Sequence, residues 1–142
     1  MAGRFFSAGS LWMDEGILLA RVITGVFMIY HGYEVFDTDQ MKGYEQWLGD
    51  LHFPNPSLMA YLVKGTELAG GVLLTLGFLT RLAALALAMT MAVITFGMGK
   101  GKILTDDQHA FLFVVICVLF IFTGAGKWSL DRLIFGSKNR LR

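Results

Sequence analysis

Cysteine is the scarcest reactive side chain in this sequence, because Cys117 is the only one among 142 residues. One cysteine cannot form an internal disulfide, a Cys-x-x-Cys redox pair or a cysteine metal cage. Thiol–disulfide chemistry carried by this chain alone is therefore excluded. Because Cys117 lies within the most apolar run of the chain, we interpret it as a small buried hydrophobic residue.

Charged residues are also scarce, at 16% of the chain, whereas 55% of the residues are hydrophobic. A soluble domain contains roughly 25% charged and roughly 45–50% apolar residues. The excess of apolar residues predicts an integral membrane protein whose first partner is the lipid bilayer. The net charge of +1 is too small to predict a nucleic-acid partner.

Four apolar segments account for this excess, and they cover residues 16–33, 58–79, 82–98 and 109–126. A spanning helix needs about 20 residues, within a working range of about 17–25. We therefore predict an all-α fold in which residues 1–142 form a single membrane domain, an integral membrane four-helix bundle. Four buried helices of a soluble bundle are the alternative, but they would leave too few polar residues to cover a surface facing water.

Basic residues in the loops predict the orientation of the segments, since lysine and arginine accumulate on the cytoplasmic side. The loop 34–57 contains only Lys42 against five acidic residues. The tail after the fourth segment carries five basic residues: Lys127, Arg132, Lys138, Arg140 and Arg142. We predict that both termini lie in the cytoplasm and that the loops 34–57 and 99–108 lie outside.

An additional amphipathic helix is predicted in the first outer loop. Thr38 can cap its N-terminus, the helix runs to about Leu51, and Pro54 follows its end. One face carries Met41, Tyr44, Leu48 and Leu51. We expect this helix to lie on the outer membrane surface.

Six ionisable residues lie in the apolar segments or at their ends, and an ionisable side chain at mid-bilayer costs roughly 2.5–3.5 kcal/mol. They are Arg21, His31, Glu34, Lys64, Glu67 and His109. Lys64 and Glu67 are three residues apart, so they share a helix face. We take all six as candidates for one polar pocket open to the outside, although the direction of the first helix places Arg21 nearer the cytoplasm.

This polar pocket has a structural and a functional interpretation, and the sequence leaves both open. Glu67 could fix the helix register by pairing with Lys64 or Arg21, while the two histidines lie in the headgroup layer. Alternatively, buried carboxylate and imidazole groups suit proton relay. We predict no metal, because the spacing of His31, Glu34 and His109 matches no known metal-binding pattern.

A second cluster is predicted at the cytoplasmic ends of the helices, where it forms a structural motif. It consists of Arg81, Ser129 and Asp131. Asp131 is placed to cap a short interfacial helix and to pair with Arg21 or Arg81.

Several short motifs follow one another along most of the chain. They are Arg21, the pair His31-Gly32, Glu67 with the pair Gly70-Gly71, the run LGFLTR at 76–81, and the run GAGKWSLD at 124–131. In this order and spacing they resemble the DoxX family of small bacterial membrane proteins, part of the wider DoxD-like group. Many members carry a lysine just after the His-Gly pair, where this chain has Val35, so no role of that lysine is carried over.

The resemblance implies four helices in the bacterial inner membrane, and three hypotheses about function are open. The family takes its name from a subunit associated with a quinone-reducing thiosulfate oxidoreductase. The first hypothesis is a membrane subunit of a quinone-linked oxidoreductase, in which the polar pocket receives a quinone. The sequence shows no redox centre of its own, so electrons would come from a bound partner or cofactor, and whether the chain is itself an enzyme stays open.

The second hypothesis is a non-enzymatic membrane scaffold or assembly factor, because related groups include proteins that assist assembly of others. The third is a small-solute or proton pathway, which also needs buried charges. The first two imply a homo- or hetero-oligomer in the membrane.

Overall fold

The computed structural model describes residues 12–136, and all regular secondary structure in this part of the chain is helical. Its six α-helices are α1 (Met13–Gly32), α2 (Thr38–Asp50), α3 (Pro56–Leu76), α4 (Thr80–Ala92), α5 (Gln108–Thr123) and α6 (Leu130–Phe135). A 3-10 helix, Tyr33–Phe36, continues α1, and a π-helix, Val93–Met98, continues α4. The prediction of an all-α fold is thereby confirmed for the described residues. Lys138, Arg140 and Arg142 of the predicted cytoplasmic tail lie outside them.

Three helical stretches are long and apolar enough to cross a membrane: Met13–Phe36, Pro56–Leu76 and Thr80–Met98. The fourth apolar helix, α5, is shorter, with 16 residues. It ends at Thr123 rather than near residue 126 because Gly124 has a φ of +73°, which takes the backbone out of the helical region.

The first loop folds back over one end of the bundle as α2. Asp37, not Thr38, caps this helix, because the Asp37 carboxylate accepts hydrogen bonds from the amides of Asp39 and Gln40. The prediction that Thr38 caps it is therefore wrong by one residue. Met41 and Leu48 are buried, and they pack in one cluster with Ala60 of α3 and Met98 of the π-helix.

Glycines bring α1 and α3 into direct backbone contact along their antiparallel crossing. A Cβ atom added to Gly25 would overlap Thr75, and one added to Gly32 would overlap the backbone of Leu68. Gly71 likewise faces the backbone of α1 at Ile29. Small residues at such crossings let membrane helices approach until dispersion contacts accumulate. The crossing fixes which residues of α1 face which residues of α3.

The largest apolar core joins four helices, α1, α3, α4 and α5. Met28 of α1, Leu74 of α3 and Leu87 of α4 are fully buried against Cys117 and Phe120 of α5. Cys117 therefore has the buried position expected from the sequence.

Candidate functional site

A cavity of about 190 Å³ lies at the end of the bundle that α2 covers, which we call the first-loop end. Its walls come from α1, α2, α3, α4 with its π-helix, and α5. The polar lining residues are His31, Tyr44, Lys64, Glu67 and His109. The apolar ones are Met28, Trp47, Leu48, Ala60, Val63, Met91, Ile94, Met98, Ala110 and Phe113. The cavity is therefore mostly apolar, with polar groups gathered on part of its wall.

The antiparallel crossing of α1 and α3 positions the polar groups. His31 lies in the last turn of α1, and Lys64 and Glu67 lie one turn apart on the face of α3 that meets it. The Lys64 ammonium donates a 3.4 Å hydrogen bond to the backbone carbonyl of His31. A cation at this position also interacts favourably with the carbonyl end of the α1 dipole.

Three charged side chains form a continuous path from the surface to the cavity wall. Lys64 Nζ lies 2.8 Å from Glu34 Oε2 and 3.0 Å from Glu67 Oε2. The side chain of Glu34 is 27% exposed, that of Lys64 is 9% exposed and that of Glu67 is 3% exposed. The path therefore runs from water into the protein interior, and its two carboxylates share one ammonium.

Tyr44 of α2 completes this path, and the sequence analysis missed that role. Its hydroxyl donates a 2.6 Å hydrogen bond to Glu34 Oε2, and its ring centroid lies 4.6 Å from Lys64 Nζ. Burial, together with the hydrogen bond to Glu34, raises the pKa of the Tyr44 phenol. The ordinary pKa of a phenol, about 10, already keeps the hydroxyl protonated at neutral pH, where it donates to Glu34. From the sequence, Tyr44 was assigned only to the apolar face of α2. The hydroxyl at the tip of a tyrosine was the one feature that indicated a polar contact there.

The two histidines also meet at the cavity wall. The ring centroids of His31 and His109 lie 5.4 Å apart with perpendicular planes, and Phe113 lies 5.0 Å from His109. His31 is half-buried, whereas His109, at the start of α5, is exposed. Within residues 12–136, no group of three or more His, Cys, Asp or Glu side chains is arranged to hold a metal ion.

Arg21 does not join the cavity, which corrects its inclusion among the pocket candidates. Arg21 lies ten positions before His31 in α1. At a rise of about 1.5 Å per residue, the two residues are about 15 Å apart along the helix axis. The Arg21 side chain is 1% exposed and donates hydrogen bonds to the carbonyls of Leu74, Thr75 and Trp128. It therefore ties the end of α3 to the segment before α6, and Glu67 pairs with Lys64 instead.

The end of the bundle that contains the turn Gly77–Leu79 is called the tight-turn end, and it holds the second predicted cluster. The Ser129 hydroxyl caps α6 by accepting from the Arg132 amide. The Asp131 carboxylate accepts hydrogen bonds from the amides of Leu79, at 2.7 Å, and Thr80, at 2.9 Å. Asp131 thus caps α4 and not the short helix.

The predicted pairing of Asp131 with an arginine is not found. Among the described residues, no arginine nitrogen lies within ion-pair distance of Asp131. The reason is that both carboxylate oxygens are turned toward the first amides of α4, which have no partner within their own helix. Arg81 is exposed and extends over Gly124.

The long apolar helices define a helical membrane protein, and the comparisons with known proteins identify its family. Residues 16–100 match the DoxX family. The chain is 35% identical over 129 residues to the "Putative oxidoreductase CatD" of Bacillus subtilis (strain 168), which covers 89% of this chain and 92% of that protein. It is 34% identical over 125 residues to an "Uncharacterized protein" of Haemophilus influenzae (strain ATCC 51907 / DSM 11121 / KW20 / Rd). This match covers 81% of this chain and 87% of that protein. The chain belongs to the DoxX family. No solved structure matches it significantly.

Proposed function

We propose that this protein is an integral membrane subunit of a quinone-linked oxidoreductase complex and that the cavity at the first-loop end receives the quinone headgroup. The observation that carries the proposal is the charged path from Glu34 through Lys64 to Glu67, which ends on the wall of a mostly apolar cavity. The oxidoreductase name of the Bacillus relative supports the same reaction class.

The lining of the cavity suits a flat ring that carries polar oxygens. Small-molecule sites combine apolar walls with a few placed polar groups. Here Met28, Met91 and Phe113 offer apolar contact, and the Lys64 ammonium offers a donor. The volume of about 190 Å³ suits a headgroup, and the isoprenoid tail would remain among the lipids. A bound quinone would supply the capacity to accept two electrons and two protons.

The charged path would supply the protons. Glu34 is reached by water, and Glu67 faces the cavity, so a proton taken up at a Glu34 carboxylate oxygen can be delivered at a Glu67 carboxylate oxygen through the Lys64 ammonium. Each link lies within hydrogen-bond distance. Tyr44 holds Glu34 in place for this exchange. We place the source of electrons in a redox partner, so the proposal includes a hetero-oligomer in the membrane.

We further propose that α1, α3, α4 with its π-helix, and α5 cross the bacterial inner membrane, with α2 lying on the outer surface and both termini in the cytoplasm. The acidic first loop and the basic tail support this orientation. A reporter that is active only outside the cytoplasm should be active when inserted at Gly43 and inactive when fused after residue 142. The reverse pattern would contradict the orientation.

A thermal-shift measurement tests whether the cavity binds a quinone. Decyl-ubiquinone added to the purified protein in neutral detergent should raise Tm by several degrees, because a ligand that binds the folded state stabilises it by about 2.7 kcal/mol at one hundred times Kd. Ala110→Phe, which places a ring in the cavity, should abolish the shift. Ala69→Phe adds the same ring on the exposed face of α3 and should preserve it.

Two results would contradict the quinone site. One is the absence of any quinone-dependent change in Tm for the unmodified protein. The other is an equal shift in Ala110→Phe and in the unmodified protein, which would place the quinone elsewhere. If a partner protein co-purifies with this protein and quinone does not change its Tm, the scaffold function would be favoured instead.

A further inference from the structure

A second cleft, of about 540 Å³, lies at the tight-turn end of the bundle. The start of α4, the glycine-containing loop 124–126 and α6 form its walls. Two arginines line it, Arg81 from α4 and Arg132 from α6, and both are exposed. This cleft lies at the opposite end of the bundle from the quinone cavity and shares no lining residue with it.

The positive charge of this cleft is only partly offset by acidic side chains. Within residues 12–136, neither Arg81 nor Arg132 forms an ion pair. The remaining segments, 1–11 and 137–142, contain no Asp or Glu. Asp131 also lines the cleft, but the first two amides at α4 already occupy its oxygens. The cleft therefore contains two guanidinium groups and one carboxylate, and the carboxylate oxygens point toward the start of α4 rather than toward the arginines.

A buried hydroxyl gives a second, independent indication of a polar ligand. Thr80 lines the cleft and is 0% exposed, and its hydroxyl has no hydrogen-bond partner among the described residues. A buried polar atom left without a partner costs about 1–3 kcal/mol, so such atoms usually meet a ligand or water. A ligand with several acceptor oxygens would pair with both arginines, and the Thr80 hydroxyl adds an unused donor to the same wall of the cleft.

The rim of the cleft is apolar, which indicates where that ligand comes from. Leu82 on α4 and Phe135 on α6 line the cleft, and both are exposed large hydrophobic residues. They lie at the end of the apolar helices, where the hydrocarbon region of a bilayer gives way to headgroups. Arg81 extends across Gly124. A Cβ atom added to this glycine would lie 3.5 Å from the Arg81 Nε atom. The charged groups are thus held at the edge of an apolar surface.

We propose that this cleft binds the phosphodiester headgroup of an anionic phospholipid, with Arg81 and Arg132 as the phosphate ligands. Planar guanidinium groups match the oxygens of a phosphate and bind it through paired hydrogen bonds. Basic pockets between membrane helices are a known form of lipid recognition. The acyl chains run along Leu82 and Phe135. The inference rests on the membrane location of the family and is independent of the quinone proposal.

The test compares lipids added to the full-length protein after delipidation in neutral detergent. Phosphatidylglycerol should raise Tm by several degrees, whereas phosphatidylcholine and inorganic phosphate at the same concentration should not, because neither combines a net negative charge with acyl chains. Arg81→Gln combined with Arg132→Gln should lose at least half of the shift. Native mass spectrometry should count one retained phosphatidylglycerol fewer on the double variant.

A control variant removes the same charge from the other end of the molecule. Lys42→Gln combined with Lys100→Gln changes two exposed lysines remote from the cleft, and its phosphatidylglycerol shift should equal that of the unmodified protein. Equal shifts in the arginine double variant and the unmodified protein would overturn the site. A shift with inorganic phosphate as large as that with phosphatidylglycerol would overturn the assignment to a lipid.

Discussion

Replacing Lys64 with methionine should lower the free energy of unfolding by roughly 3–5 kcal/mol, the cost of removing one partner from a buried ion pair. Glu34 and Glu67 both contact the same ammonium, so its loss leaves two carboxylates facing each other without a countercharge. Methionine retains most of the volume and apolar stem of lysine, so the effect reports the charge. Thermal unfolding in detergent measures it, and Lys42→Met, on the exposed face of α2, should leave Tm nearly unchanged.

Combining Lys64→Met with Glu67→Gln separates the loss of countercharge from the loss of packing. The double variant contains no deeply buried charge at this position, because Glu34 is partly exposed. It should recover much of the stability lost in Lys64→Met, since replacing a whole buried ion pair is often nearly neutral. A double variant as unstable as Lys64→Met alone would show that the contacts of the lysine side chain, and not its charge, stabilise this region.

Adding one methyl group at Gly32 should be as damaging as removing the buried charge. The Cβ of alanine would overlap the backbone nitrogen and Cα of Leu68, which have no rotamer freedom to move aside. Overpacking typically costs about 1–3 kcal/mol, and we expect the upper end of that range or more because the overlap is with backbone. The φ of Gly32 is −69°, so alanine is conformationally acceptable and the effect is purely steric.

Gly65→Ala is the matched control for this substitution. It also lies in a helix, but nothing lies within 4 Å of its added Cβ. It should leave Tm unchanged or raise it slightly, since alanine is favoured over glycine in helices by about 1 kcal/mol. Equal Tm values for Gly32→Ala and the unmodified protein would contradict the close α1–α3 crossing that places His31 beside Lys64.

Local sequence patterns were sufficient to predict the long helices and the Lys64–Glu67 pair. Apolar runs mark α1, α3, α4 and α5, and two charges three residues apart must share a helix face. Small residues are a weaker guide to helix contacts. Ala84 and Ala88 are buried, whereas the space next to Gly65 is open. A small residue indicates a possible close approach, and the partner decides whether it occurs.

Contacts between distant segments could not be predicted from the sequence. Asp131 binds amides 51 and 52 residues away, and Arg21 binds a carbonyl 107 residues away. Which of several polar groups each one meets depends on how the helix ends assemble, and neither periodicity nor composition specifies this. The role of Tyr44 depends in the same way on how α2 folds back over α3 and the 3-10 helix that carries Glu34.

The central claim is that a quinone headgroup occupies the cavity beside Glu67, and photolabelling tests it most directly. A photoreactive quinone analogue, irradiated with the protein in membranes and mapped by mass spectrometry, should label the cavity-lining parts of the π-helix and α5, including Ile94, Met98 and Ala110. Excess unlabelled quinone should suppress that labelling, and Ala110→Phe should abolish it. Labelling confined to lipid-facing residues such as Leu62 or Leu119, unaffected by competitor, would contradict the claim.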